Sequence, residues 1–76
     1  MNTELMRIRR EHNLTSQQIA DTANVPLRIA YLAEIGGLID EEDAEKIVKA
    51  LSHLTGTFYI LDMLSLNIKC REVHQL

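Results

Sequence analysis

The side chains with the best claim to chemistry lie just behind Pro26. Leu27, Arg28, Tyr31 and Leu32 take the amino-terminal and outward positions of a helix that begins there. A guanidinium is a planar fork of donors that can take guanine O6 and N7 together, whereas Leu27 can only touch a thymine methyl and Tyr31 can reach a phosphate or a base edge. This is the chemistry of recognition, not of bond breaking. Ser16, Ser52 and Ser65 stand in no nucleophile-elbow context, and no glycine-rich phosphate loop is present. His12, His53 and His74 have no second ligand at a metal-binding spacing. Neither enzymatic activity nor a metal or other cofactor is expected.

Two short helices must position those residues. Thr15 is an N-cap and Gln18, three residues on, completes a Thr-x-x-Gln capping box, so a helix starts near Ser16. Ile19, Ala20 and Ala23 fall on one face, and the small Ala20 lets a neighbouring helix cross closely. Asn24 tolerates the left-handed backbone of a sharp exit. Val25 plugs the turn, Pro26 has its φ preset for a first helical turn, and a second helix runs from Leu27 to about Ile35, where Gly36 and Gly37 stop it. Residues 14 to 36 therefore read as a helix-turn-helix.

The order Leu5, Ile8, Arg9, Leu14, Thr15, Ile19, Ala20, Asn24, Val25, Glu34, Gly36, Ile47, Ala50, Leu51 resembles the Xre/Cro type of phage-repressor-like helix-turn-helix domain. The likeness covers roughly residues 5 to 51. It implies an all-α, lambda-repressor-like bundle of about five short helices that binds operator DNA as a dimer. It also implies that Arg9 and Glu34 pair across the first and third helices, and a bidentate guanidinium–carboxylate contact there would fix the helix that enters the groove. The chain departs from the family at the outward positions Leu27 and Leu32, which tend to be polar in it. It departs also at Pro26, where a Ser or Thr hydroxyl commonly stands, and at Ala30 and Ala33, which replace larger core aliphatics.

Ser16 and Gln17, with the amides of the helix start, are candidate phosphate donors, or else plain caps. Arg7 and Arg10 are phosphate contacts or a solvated face, and the second reading is preferred because the first helix usually sits behind the motif.

Composition bounds the rest. At 76 residues and 46% hydrophobic, the chain makes one modest core over residues 1–70, with a polar, frayed tail at 71–76 expected beyond it. The single Cys70 cannot form an internal disulfide, no apolar leader is evident, and no stretch approaches the roughly 20 apolar residues of a membrane span, so a cytoplasmic protein is expected. The net charge of −3 is unusual for a nucleic-acid binder, but the acidity lies mostly outside the motif. Up to residue 34, Arg7, Arg9, Arg10 and Arg28 balance Glu4, Glu11, Asp21 and Glu34.

Around the motif, Asn2 or Thr3 caps a first helix that runs to about His12 with Leu5 and Ile8 inward. Leu38-Ile39 reads as an apolar loop. Asp40 caps a fourth helix whose Glu41 to Asp43 place negative charge at the positive dipole end, and Ala44, Ile47, Val48, Leu51 and Leu54 form its inward stripe up to Gly56. From Thr57 a fifth helix is predicted with Phe58, Leu61, Leu64 or Ser65, and Ile68 on one face, although β-branched and aromatic content leaves a strand open. That face, Phe58, Leu61, Leu64 and Ile68, is the candidate dimer surface.

Two functions follow. The first is a small sequence-specific regulator of transcription that binds double-stranded DNA as a homodimer, its two recognition helices about 34 Å apart on a two-fold operator. The alternative is a repressor-like fold that binds another protein through Leu27, Tyr31 and Leu32, because apolar groups exposed on a helix often mark an interface.

Overall fold

A computed structural model describes residues 3–64 and 66–69. Among them the chain forms α1 (Glu4–Glu11), α2 (Ser16–Ala23), α3 (Leu27–Glu34), β1 (Ile39–Asp40), α4 (Glu41–Thr55), α5 (Leu61–Leu64) and β2 (Ile68–Lys69). The protein is thus mostly helical, a small all-α bundle with one two-residue strand pair. No described helix is long and apolar enough to cross a membrane.

The boundaries follow from local chemistry. Thr3 caps α1 by accepting from the Met6 amide, and the same hydroxyl donates to the Glu34 carbonyl at 2.6 Å, tying the start of α1 to the end of α3. The capping box at α2 is complete: Gln18 N–H donates to Thr15 Oγ1 at 3.0 Å, and Thr15 N–H to Gln18 Oε1 at 2.8 Å. Asn24 ends α2 at φ 61°, a conformation that Asn reaches more cheaply than most residues, and its exit lets Val25 N–H close on Ala20 O at 3.0 Å. Pro26 stands at the N-cap of α3 and Ile35 at its C-cap.

One core joins these elements. Leu5 and Ile8 of α1, Ile19, Ala20 and Ala23 of α2, Ala30 and Ala33 of α3, and Ala44, Ile47, Val48, Ala50 and Leu51 of α4 are all buried in it. Ala20 and Ala23 on α2 and Ala30 and Ala33 on α3 are buried, and small side chains let helix axes approach closely. Gly56 closes α4 at φ 75°.

Four expectations are corrected beyond the motif. Ile39 is not loop: it pairs in parallel with Ile68, and its amide donates to Asn67 O at 3.1 Å. Asp40 holds the N-cap position of α4, but its side chain makes no capping bond. Thr57 opens no helix, because the following backbone is drawn onto α4 by the Tyr59 amide, which donates to Ser52 Oγ at 2.9 Å. Only one turn, α5, then forms before β2.

The proposed dimer face is split in consequence. Phe58 is 77% exposed, Leu61 is half-buried, Leu64 is 1% exposed within its own chain's core, and Ile68 is half-buried in the strand pair. Leu64 therefore cannot face a partner. Ser65, Asn2, Cys70 and the expected frayed tail at 71–76 lie outside the described residues.

Leu64→Ala is expected to lower stability by about 2–5 kcal/mol, as cavity-forming substitutions do, while Phe58→Ser stays within about 0.5 kcal/mol. Denaturant melts showing equal losses would contradict this placement of the core.

Candidate functional site

The outward side of α3 carries Leu27, 46% exposed, and Tyr31, 55% exposed, one turn apart, with exposed Arg28 beside them. Leu32 does not belong to that group. It is half-buried and lies over Gly37 so closely that a Cβ there would meet Leu32 Cδ1 at 2.3 Å. Ile35, 50% exposed, continues the line from Leu27 and Tyr31 at the same four-residue spacing, and Leu38, 55% exposed, follows. Ile35 stands at the C-cap, and the spacing 27, 31, 35 is its signal in the sequence.

The cations of the amino-terminal half differ sharply in freedom. Arg7 is paired within its own helix, to Glu4 and, at 2.7 Å, to Glu11. Its hydrogen bond holds the Glu4 carboxyl below the usual carboxylate range, and those two carboxylates raise the pKa of Arg7 in return. Arg9 is held between α1 and α3. Arg28, by contrast, is exposed at the start of α3, with no hydrogen bond or ion pair among the described residues. No exposed carboxylate lies on α3, since its one acid, Glu34, is buried.

Arg9 and Glu34 are brought together as expected, but not as a bidentate pair. Arg9 Nε lies 2.9 Å from Glu34 Oε1, an ion-pair distance at which the N–H is not aligned on the oxygen. A second arm, Nη1, instead donates to the Leu14 carbonyl at 2.9 Å. The backbone of Leu14 thereby takes the place that the second carboxylate oxygen was to fill, and Glu34 Oε2 is buried without a hydrogen bond among the described residues. One guanidinium thus ties α1, the turn before α2, and α3.

At the start of α2, Ser16 is half-buried and Gln17 exposed. The Gln17 side-chain amide donates to Asp21 Oδ1 at 2.8 Å, so it is engaged along its own helix. The capping box takes the Gln18 amide, and the amides of Ser16 and Gln17 make no hydrogen bond among the described residues. Such first-turn donors suit an anion. Among the described residues no three His, Cys, Asp or Glu side chains gather into a group that could hold a metal ion.

No protein-family model, curated protein or solved structure matches the chain.

Removing the Glu34 carboxylate leaves a largely buried cation without its counter-charge. Glu34→Ala is expected to cost about 3 kcal/mol, near the lower end for buried pairs because Arg9 keeps some solvent contact, and to lower the melting temperature by more than about 10 °C. An unchanged thermal melt by circular dichroism would contradict burial of the pair.

Proposed function

We propose that the protein is a small sequence-specific DNA-binding regulator whose α2 and α3 act as a helix-turn-helix. The observation that carries this reading is Arg28: an exposed guanidinium, with no hydrogen bond or ion pair among the described residues, in the first turn of a helix whose outward side holds no acid. A recognition helix enters the major groove by its amino-terminal residues, which is where Arg28 stands, and a guanidinium there can bind a guanine through two hydrogen bonds. The amides of Ser16 and Gln17, which make no hydrogen bond among the described residues, support the reading as phosphate donors that fix register. With few cations available, binding to arbitrary sequence should be weak and lose little to added salt.

A regulator of this type acts as a dimer on a two-fold site, and the exposed side chains Phe58, Ile60 and Met63 supply the apolar surface that a two-fold contact needs. Lys49 lines the same groove as Glu45 and Asp62, so both charge signs are present for self-complementary pairing.

A second reading has its own observation. Leu27, Tyr31 and Ile35 are exposed at four-residue spacing, with Leu38 exposed beyond the helix end, and large apolar groups left in water this way would serve equally as contacts for another protein.

Arg28→Ala is expected to abolish sequence-specific retention of duplex DNA while leaving the thermal melt unchanged; specific binding that survives would contradict the groove assignment. For the dimer, Met63→Asp should convert the sedimenting species to monomer, and a parent protein already monomeric at high concentration would end that part of the proposal.

A further inference from the structure

We infer, building on the DNA-binding reading, that each operator half-site places thymines beside a guanine, and that Leu27 and Tyr31 read the thymines through their 5-methyl groups. The outward side of α3 offers one polar reader, Arg28, flanked by Leu27 and Tyr31 at 46% and 55% exposure. Leu27 has no donor or acceptor. Set against a guanine edge or a cytosine amino group, it would displace water from a polar atom and replace none of its hydrogen bonds. Set against thymine it covers a methyl group, the one apolar feature in the major groove, and nothing polar is left unpaired. Preference therefore arises from penalty at the wrong base as much as from contact at the right one.

Tyr31 divides the same way. Its ring is apolar, and its hydroxyl can reach a phosphate while the ring lies over a base. Leu27 and Tyr31 are separated by one helical turn, about 6 Å along the axis, which corresponds to roughly two base steps of about 3.4 Å. Arg28 stands three residues before Tyr31, on the same side of the helix, so its guanine lies beside the thymine that Tyr31 reads. Leu32, folded over Gly37, takes no part.

The test selects duplexes from a random-sequence pool with the purified protein, then remakes the selected duplex with uracil in place of thymine in the half-sites, which removes only the methyls. A half-site with guanine beside thymine is expected. Binding measured by fluorescence anisotropy should weaken about fourfold for each contacted methyl removed, the factor that burial of one methyl-sized group implies. Leu27→Ala, at an exposed position that leaves the fold intact, should then bind the thymine and uracil duplexes with nearly equal affinity at that step. A selected site without thymine, or equal binding of both duplexes by the parent protein, overturns this inference and leaves the DNA-binding reading standing. Failure to enrich any sequence overturns both.

Discussion

The Arg9–Glu34 contact is the constraint on which the arrangement of the amino-terminal half depends. A carboxylate 2% exposed in so small a domain is stable only beside a cation, and the cation comes from a different helix. Because the second arm of Arg9 holds the Leu14 carbonyl, the same guanidinium fixes where the chain turns into α2. The Thr3 hydroxyl adds a bond to the Glu34 carbonyl, so the carboxyl end of α3 is anchored twice to α1. Anchoring one end of α3 leaves its other end, with Leu27 and Arg28, facing solvent. Position and exposure of the candidate site are thus consequences of a pair that lies away from it.

Alanines complete the arrangement. Ala20 and Ala23 in α2, Ala30 and Ala33 in α3, and Ala44 and Ala50 in α4 are all buried, and where these helices pack the small side chains bring backbones close. The bulk that a small core still needs comes from Leu5, Ile19, Ile47, Leu51 and Leu64. On α3, Ile29 and Leu32 pack partly against this core, while Leu27 and Tyr31, with Ile35 at the C-cap, lie on its outer side.

What was legible in the sequence was what local chemistry decides. The Thr15–Gln18 box, Asn24, Pro26 and Gly56 each set a helix end within a residue or two, because capping depends on neighbours only a few positions away. The pairing of Ile39 with Ile68 was not legible: strands of two residues have no period to detect, and their partners are distant in the chain. Phe58, Leu61, Leu64 and Ile68 have helical spacing, yet the competing bond from the Tyr59 amide to Ser52 keeps the segment off a helix until Leu61. At the candidate site Leu27, Arg28 and Tyr31 are exposed, which their helical spacing and polarity left open. Leu32 was misplaced because Gly37 offers it a surface that spacing alone does not reveal. The fork geometry of Arg9 was likewise beyond sequence, since the Leu14 carbonyl competes for it.

Amide chemical-shift mapping of the isotope-labelled protein, titrated with a short duplex at low salt, decides whether the α2 start and the α3 start together form a face for duplex DNA. Shifts are expected to concentrate at 16–18 and 27–31, with α5 and the end of α4 undisturbed. Shifts confined to 56–63, or none at millimolar duplex, would contradict that assignment.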